Sequence, residues 1–474
     1  MTLINILIFA TLILAYRIIL RQRGRGWFLL GLSVLAVFWL QPPLPIRGLD
    51  FWLPLTTLGL SVLGWTITTP PENRAGRENW ITAALLVTLV LLIAATRYLS
   101  LTGLVTPSRP PQLLLVAAIL LVLALAGGLL ARLTRPAAAG LTAFLVILIL
   151  VFLALKIPQL AEQLSAGFRS WAGQDVARAS AIDIRWLGFS YVVFRLMATL
   201  RDRQTGRLPG MSLRDYLTYL IFFPALTAGP IDRPERFLKD LQGDRPPGAA
   251  EYLTGGRRLV VGLFKKFVVA DALALLALSG ANADQIQSPL WLWLAVIAYA
   301  GLIYFDFSGY TDIAIGLARW LGIALPENFN HPYLKPNLTQ FWNNWHMTLT
   351  QWFRAYFFNP LTRALRGGKH PLGAVGVIFI TQVSTFLMIG LWHGGTLNFI
   401  LWGLWHGLGL FIQNRYSDWA KPRLAALDAH PRVRRLTTVA GTVLTFFFVA
   451  LGWVWFALPT TGQALQVITR LFGG

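Results

Sequence analysis

Cysteine is absent from the 474 residues, and charged side chains are scarce. The missing thiol excludes disulfides, cysteine zinc sites, iron–sulfur clusters and a catalytic cysteine. Charged residues make up only 13% of the chain, whereas a soluble domain carries about a quarter. A chain of this length with so little charge cannot cover a water-exposed surface. The composition therefore excludes a soluble globular protein.

Hydrophobic residues supply 55% of the sequence and occur in long blocks. A membrane-spanning helix needs roughly 20 predominantly apolar residues. About a dozen blocks approach that length, from Leu3–Leu20 to Thr437–Leu458, and several of them are short or interrupted. These blocks predict an all-α, polytopic integral membrane protein. The first block lacks an A-x-A-like cleavage site and leads into another span, which indicates a retained helix.

Acidic residues are half as frequent as basic ones, and the net charge is +21. The excess lies mostly in short loops after every second span, as at Arg21–Arg25 and Arg201–Arg214. This is the positive-inside pattern of membrane proteins, so it argues against nucleic-acid binding. It predicts a multi-pass protein of the cell (plasma or inner) membrane with its N-terminus outside. The expected partners of these loops are anionic lipid headgroups.

The chain divides into four predicted parts. Residues 1–158 form simple apolar helices, and residues 159–185 form a polar connector. Residues 186–413 carry polar side chains, Gly and Pro inside apolar stretches. Because such features are costly at membrane depth, this part is the predicted functional core. Residues 414–474 hold a polar loop, the last span and a short tail.

Six histidines are the main candidates for catalysis. No two of them are three or four residues apart, so no helical metal pair is predicted and no metal is expected. His370 and His430 lie in basic, polar loops, which favours solvated positions without a function, and His331 is predicted to lie in a turn. His406 lies inside an apolar helix, where a packing role is expected.

His346 lies in an aromatic-rich stretch that helical spacing predicts to be one helix. The two sides of that helix carry an aromatic stripe of Trp342, Trp345, Leu349, Trp352 and Tyr356 and a polar stripe of Thr339, Asn343, His346, Thr350 and Arg354. A polar stripe on an apolar helix is typical of a lined cavity. An interfacial amphipathic helix with a tryptophan belt is the alternative, and the pattern leaves both open.

His393 lies between two apolar blocks and is followed by Gly394, Gly395 and Thr396. The glycines are expected to end one helix, and Thr396 can cap the next. The imidazole then lies beside free backbone N–H groups at a helix N-terminus. A general base beside a place that stabilises negative charge suits acyl transfer. A structural histidine at a helix break is the alternative.

Asp306 and Asp312 lie inside an apolar run. They could be ion-coupling sites of a transporter, or they could hold a re-entrant element through helix N-termini or Arg319. The structural alternative is favoured. The sequence has neither a G-x-S-x-G elbow nor a P-loop, so the usual serine-hydrolase and nucleotide-binding signatures are missing.

Several ordered motifs are similar to those of one known family. They are Phe222-Phe223-Pro224 with Ala228–Ile231, Gly262–Lys266, Asp306–Asp312 with Pro326–Asn330, Phe341–Leu349, Gly390–Gly394 with Asn398-Phe399, and Gly452–Phe456. Together they resemble the membrane-bound O-acyltransferase family, from about Trp186 to the C-terminus. Two positions depart from the family pattern, because Ala355 replaces a frequent Asp and Ala457 a frequent Arg.

The resemblance implies a ring of about 11–13 transmembrane helices around a thin, funnelled core with re-entrant segments. It implies that His393 is the catalytic residue and His346 the second histidine of the site. Substrate-binding or oxyanion-stabilising roles are expected for Asn343, Trp392, Gly394, Gly395, Thr396 and Asn398. Structural roles in a polar core are expected for Asp306, Asp312, Asn328 and Arg354.

The implied chemistry is transfer of an acyl group, most simply acetyl, from a cytoplasmic thioester to hydroxyls of a cell-envelope or exported polysaccharide. His393 would take the hydroxyl proton, directly or through water, and N–H groups near Gly394–Thr396, or Asn343 and His346, would stabilise the oxyanion. A relay through a partner's hydroxyl is the alternative route. The two histidines are 47 residues apart, yet we expect them to meet near mid-membrane in one polar cavity.

No tightly bound cofactor is expected; the donor is an acyl-CoA or an acyl-carrier-protein thioester. The acceptor is a glycan or other polymer, and an extracytoplasmic SGNH-type or other envelope protein is the expected partner. D-alanyl transfer to teichoic acid from a carrier protein is the alternative function. A transporter or flippase is a more distant one, which Asp306, Asp312 and the broken helices support.

Overall fold

The computed structural model describes residues 1–20, 24–99, 103, 105–133, 137–243, 247–367, 372–428 and 430–474. These residues form helices and connecting turns, with no β-strand among them. The predicted all-α class is therefore confirmed. The basic residues Arg21 and Arg23 and the loop residue His370 lie outside the described residues.

Contacts divide the chain into two units, residues 1–260 with 313–326 and residues 261–312 with 327–474. The N-terminal helices are α1 (Leu3–Leu20), α2 (Arg25–Trp39), α3 (Leu49–Thr68), α4 (Arg77–Ala95), α5 (Leu113–Leu133), α6 (Ala138–Lys156), α7 (Pro158–Trp171), α8 (Phe189–Gln204), α9 (Leu213–Leu220) and α10 (Pro234–Gln242). Two further helices, α11 (Ala249–Phe264) and α13 (Pro289–Trp320), contribute residues to both units.

The second unit holds the remaining helices. They are α12 (Asp271–Ala274), α14 (Leu338–Asn344), α15 (Met347–Phe353), α16 (Asn359–Gly367), α17 (Ala374–His393), α18 (Leu397–Asp428), α19 (Pro431–Ala457) and α20 (Thr461–Leu471). Two π-helical segments, Lys265–Ala270 and Arg354–Phe358, join α11 to α12 and α15 to α16.

Seven helices of the described chain are long and apolar enough to cross a membrane. They are α3, α4, α5, α6, α13, α17 and α19, and α1 and α2 are shorter apolar helices. Some other predicted spans fall on short helices, such as α8 with 16 residues and α9 with 8, whereas the apolar block that starts at Leu397 lies in the 32-residue helix α18. The chain is thus a multi-pass membrane protein.

A buried arginine organises the turn after α9 in the first unit. Arg195 on α8 is only 2% exposed. Its guanidinium donates to the backbone oxygen of Leu220 at 2.8 Å and to that of Ala225 at 2.7 Å. Backbone carbonyls at the end of a helix carry partial negative charge, so they can satisfy a buried cation. This contact fixes the Phe223–Ala225 turn, which together with its N-cap Phe222 contains the family-like Phe-Phe-Pro motif.

The polar connector begins with α7 and is held by one carboxylate. Asp183 accepts hydrogen bonds from Ser165 at 2.7 Å and from Arg169 at 2.9 Å. Burial alone would raise the pKa of Asp183, but these hydrogen bonds and the charge of Arg169 hold it below its usual range. The connector is therefore an ordered segment.

Close helix packing in the second unit depends on glycine. A Cβ at Gly390 on α17 would lie 2.3 Å from the backbone oxygen of Phe399, and one at Gly403 on α18 would lie 2.6 Å from that of Phe386. A Cβ at Gly452 on α19 would lie 2.6 Å from Nε2 of His406. Small residues let membrane helices approach to backbone contact. Helix α18 is consequently packed closely on both α17, which ends at His393, and α19.

Candidate active site

His346 lies at a break between two short helices, so the prediction of one continuous helix through it is wrong. Helix α14 ends at Asn344, α15 begins at Met347, and His346 adopts the left-handed conformation with φ 43° and ψ 53°. A non-glycine residue rarely adopts this conformation, because it crowds the Cβ. The break removes His346 from the predicted polar stripe.

Tertiary hydrogen bonds replace the helical ones at this break. The N–H of Met347 donates to the backbone oxygen of Asn328 at 2.9 Å, and the N–H of Asn330 donates to that of Asn344 at 3.1 Å. The loop of the family-like Pro326–Asn330 motif thus pairs with the backbone on both sides of His346. Because these bonds fix the backbone, the surrounding fold maintains the strained conformation.

The imidazole of His346 is buried, with 4% of the residue exposed. Its Nδ1 lies 3.1 Å from Oδ1 of Asn328, which also receives the hydroxyl of Thr348 at 2.8 Å and the Thr348 N–H at 3.2 Å. The ring of Phe307 meets the imidazole edge-on at a centroid distance of 4.7 Å. Within the described chain, Nε2 of His346 has no hydrogen-bond partner.

His393 is the last residue of α17 and is partly buried. Four aromatic rings surround its imidazole, with centroid distances of 4.4 Å to Trp392, 4.8 Å to Phe456, 5.4 Å to Trp402 and 5.9 Å to Phe399. We call these four rings the aromatic box. The described surroundings of the His393 ring are therefore largely aromatic.

Trp392 contacts both histidines. Its ring centroid is 6.2 Å from that of His346 and 4.4 Å from that of His393, so the imidazole centroids are separated by no more than the sum of these distances, about 10.6 Å. The structure therefore brings together two histidines that are 47 residues apart in sequence. The side chains between and around them are mainly aromatic, in contrast to the polar lining that the sequence predicted.

The helix break after His393 has the predicted position. Helix α17 ends at His393, and α18 begins at Leu397. The N–H of Gly394 donates to the oxygen of Gly390 at 3.1 Å, so it is engaged inside α17 and is a poor oxyanion donor. The first N–H groups of α18 have no acceptor within that helix, because no preceding turn exists. The candidate anion-stabilising groups therefore lie from Gly395 and Thr396 into the first turn of α18.

Asn398 has a different position from the expected one. The Asn398 amide donates to the backbone oxygen of Leu458 at 2.8 Å, and its side-chain oxygen accepts from Thr461 at 2.7 Å. Asn398 is buried, with an exposure of 3%. These contacts tie the start of α18 to the turn between α19 and α20. The geometry indicates a structural role instead of substrate binding.

Asn343 and Arg354 form an exposed pair. The guanidinium of Arg354 donates to the side-chain oxygen of Asn343 at 2.7 Å, and both residues are exposed. The expectation of a core position for Arg354 is therefore wrong, and the oxyanion role of Asn343 stays a prediction. The break at His346 is the physical reason, because it turns the two helices out of the single register on which the stripe was based.

Asp306 and Asp312 have lysine partners that the sequence analysis did not propose. Nζ of Lys265 lies 2.7 Å from Oδ2 of Asp312, and Lys266 pairs with Asp306. Asp312 is buried, whereas the side chain of Asp306 is 49% exposed. Both lysines begin the π-helical segment after α11. The pairing supports the structural alternative over ion coupling.

The other histidines stay outside the site, as far as the structure describes them. His406 is fully buried among Trp342, Trp402 and Phe386, in agreement with the predicted packing role. His331 and His430 are exposed. In the described part of the chain, no group of three His, Asp or Glu side chains could hold a metal ion.

Two site contacts were missed from the sequence. Phe456 contributes a ring of the aromatic box. The Gly452–Phe456 motif alone did not predict a position beside His393. Asn328 holds the His346 imidazole, although it was expected only as a structural polar residue. The contact between Asn328 and His346 joins residues 18 positions apart and depends on the left-handed backbone of His346. Nothing in the sequence indicates that backbone conformation, so the contact could not be predicted.

The fold and the site define an all-α, multi-pass membrane protein whose helix breaks bring two histidines to one aromatic-lined site. The family model described as "membrane-bound O-acyltransferase family" matches residues 139–430. Because this match covers more than half of the chain, the protein belongs to the membrane-bound O-acyltransferase family. The matched range includes both histidines.

Curated relatives carry three different names. The chain is 32% identical over 277 residues to the teichoic acid D-alanyltransferase of Bacillus subtilis, which covers 58% of this chain and 69% of the relative. It is 34% identical over 290 residues to a probable alginate O-acetylase of Pseudomonas syringae pv. tomato (60% and 51%). It is 33% identical over 262 residues to the peptidoglycan O-acetyltransferase of Helicobacter pylori (55% and 46%). The match thus spans about half the length of the two O-acetylating relatives.

Proposed function

We propose that the protein transfers an acyl group, most simply acetyl, from a cytoplasmic thioester to hydroxyls of a cell-envelope or exported polysaccharide. The observation that carries this proposal is that His346 and His393 both contact the ring of Trp392. Two relatives are named for O-acetylation of alginate and peptidoglycan, which supports acetyl as the group and a glycan as the acceptor.

The proposed reaction needs a base and an anion-stabilising site. His393 takes the proton from the acceptor hydroxyl, and the hydroxyl oxygen attacks the thioester carbonyl. Backbone N–H groups from Gly395 into the first turn of α18 stabilise the oxyanion. The C–S bond then breaks, the thiolate leaves and recovers the proton from His393, and the ester remains on the acceptor. The aromatic box excludes water that would hydrolyse the thioester.

The donor is a coenzyme A or carrier-protein thioester that approaches from the cytoplasm, and the acceptor approaches from outside. We place the chain in the cell membrane with its N-terminus outside, on the positive-inside pattern. Cysteine labelling tests this topology cleanly, because the native chain has no cysteine. A membrane-impermeant maleimide should leave Arg203→Cys unlabelled in intact cells and label it after lysis. Labelling in intact cells contradicts the orientation.

Transfer of D-alanine to a teichoic acid is the second candidate function. The relative with this name is matched over 69% of its length, more than the two O-acetylating relatives. This candidate needs a carrier protein as donor. An extracytoplasmic SGNH-type partner would accompany the polysaccharide candidate instead, and it could relay the acyl group through its own hydroxyl.

Release of free thiol from the donor tests the function directly. Purified protein in liposomes should release thiol from acetyl-CoA in the presence of a glycan acceptor, and the His393→Ala variant should not. Release from D-alanyl carrier protein alone would favour the second candidate. A transporter moves its substrate without breaking the thioester, so an absence of thiol with every donor, together with substrate transport, overturns both candidates.

A further inference from the structure

We propose that Asn328 is a positioning residue that holds His346 with its proton on Nδ1, so that Nε2 accepts a hydrogen bond from a hydroxyl of the acceptor other than the one that His393 deprotonates. The orientation of the imidazole follows from the geometry of the site alone. The identity of the group that meets Nε2 rests on the proposed acyl transfer to a hydroxyl.

The Thr348 backbone fixes which atom of the Asn328 amide faces His346. An amide side chain can be turned by 180° without a change of shape, so its orientation is assigned from its neighbours. The backbone N–H of Thr348 can only donate, and it lies 3.2 Å from Oδ1 of Asn328. The opposite orientation would set the Asn328 NH2 group against this N–H. The oxygen of Asn328 must therefore face Thr348 and His346.

An oxygen at this position determines the tautomer of His346. The carbonyl oxygen of Asn328 has lone pairs and no hydrogen, so the ring nitrogen 3.1 Å away must donate. The Nδ1 atom of His346 thus carries the hydrogen. Burial disfavours the charged imidazolium, which would carry a hydrogen on both nitrogens. In the neutral ring, Nε2 is left with a lone pair.

This tautomer changes the role of His346. A neutral imidazole with its hydrogen on Nδ1 cannot donate from Nε2 to an oxyanion, which was one expectation from the sequence. It can accept a hydrogen bond from a hydroxyl group. Oδ1 of Asn328 is anchored by the hydroxyl of Thr348 at 2.8 Å as well, so the acceptor that orients the ring is itself held. Rigid support of this kind is what a site needs to keep a hydrogen-bond acceptor in place.

Substitution of Asn328 separates this role from a structural one. The backbone contact of Asn328 to Met347 remains in any variant, because it uses only the main-chain oxygen. Asn328→Leu removes the side-chain acceptor and keeps the number and branching of the side-chain heavy atoms. Asn328→Asp keeps the acceptor oxygen, and the amide nitrogen that it replaces has no hydrogen-bond partner in the described chain. Asn328→Asp therefore removes no hydrogen bond that the structure describes, and it adds a negative charge beside the His346 imidazole.

The tautomer can be measured by ¹⁵N NMR of the full-length protein labelled at histidine in detergent micelles. The His346 signals are assigned by their loss in His346→Gln. The wild type should show hydrogen on Nδ1, and Asn328→Leu should populate the form with hydrogen on Nε2 and lower kcat by at least about tenfold. Hydrogen on Nε2 in the wild type, or unchanged His346 signals in folded Asn328→Leu, overturns the inference.

The aspartate variant provides a second readout if the leucine variant does not fold. The side chains of Phe307, Trp392, Asn328 and Thr348, which contact the His346 ring or its Asn328 partner, are uncharged, and His393 is the titratable group that shares the contact with Trp392. A carboxylate at position 328 favours the imidazolium. The acid limb of the pH dependence of kcat should move to higher pH, and an unmoved limb contradicts the inference. If the wild type transfers no acyl group, the proposed function fails, and the nitrogen spectra alone decide about Asn328.

Discussion

The two helix breaks that carry His346 and His393 orient their imidazoles by different means. At the first break, backbone bonds from the Asn328–Asn330 loop fix a left-handed residue, and Asn328 binds one nitrogen of the ring. At the second break, the backbone ends an ordinary helix, and the aromatic box packs around the ring. His346 is fully buried, whereas His393 is partly buried.

This difference indicates that the two histidines have different roles. A hydrogen bond specifies which ring nitrogen faces the substrate, and aromatic packing specifies only the plane and the space. The hydrogen bond to Asn328 thus specifies which nitrogen of His346 is bound. The four rings of the aromatic box restrict the plane and the position of His393, the proposed base.

Removal of the His393 imidazole should have the largest effect. His393→Ala should lower acyl transfer by roughly 10²- to 10⁴-fold, the loss typical of a missing general base. The box rings contact one another, as Phe399 and Phe456 do at 5.0 Å, so the fold should persist. Thiol release in liposomes gives the rate, and thermal unfolding in detergent gives the stability. Near-normal activity in a folded variant would make His393 a structural residue of the break.

Replacement of His346 should have a smaller effect. Asparagine tolerates the left-handed backbone better than alanine does, so His346→Asn removes the ring with little strain. Activity should fall by about 10²-fold or less, because water can replace a hydrogen-bond acceptor in part.

His331 provides the matched control for that substitution. It is the other described non-glycine residue with positive φ, at 47°, and it is exposed. His331→Asn makes the same chemical change in the same backbone conformation, and it should leave activity and stability near those of the wild type. Equal losses in the two variants would mean that backbone strain, and not the buried imidazole, accounts for the effect.

The sequence predicts one break and misses the other for a physical reason. Gly394 and Gly395 interrupt the apolar pattern after His393, so local residues already specify that break. Residues 338–353 contain neither Gly nor Pro, and helical spacing runs through His346 without a signal. That break depends on hydrogen bonds with Asn328 and Asn330, which are distant partners that a local pattern cannot reveal. The same cause displaced Arg354 from the predicted core position.

The smallest effect is expected from Gly394→Ala, which tests whether the packing of the Phe399 ring helps to position His393. Gly394 is extended, with φ −179° and ψ 153°, so any residue can adopt its backbone conformation. A Cβ there would lie 2.6 Å from two ring atoms of Phe399, which stacks on His393. Gly394→Ala should push that ring and tilt the imidazole. We expect roughly a tenfold loss of kcat, since small misplacements of a catalytic group are costly, and a stability loss of about 1–3 kcal/mol from overpacking.

Gly376 on the same helix α17 separates the clash from a general effect of alanine. A Cβ at Gly376 would meet only Leu372, at 4.0 Å, and alanine is the better helix former by about 1 kcal/mol. Gly376→Ala should therefore keep full activity and unfold at an equal or higher temperature. If Gly394→Ala loses stability but keeps its kcat, the aromatic box supports the fold without orienting His393. A lower kcat in Gly394→Ala molecules that are still folded would show that ring packing positions the base. In that case Phe399→Leu, which makes room for the new methyl group, should restore kcat.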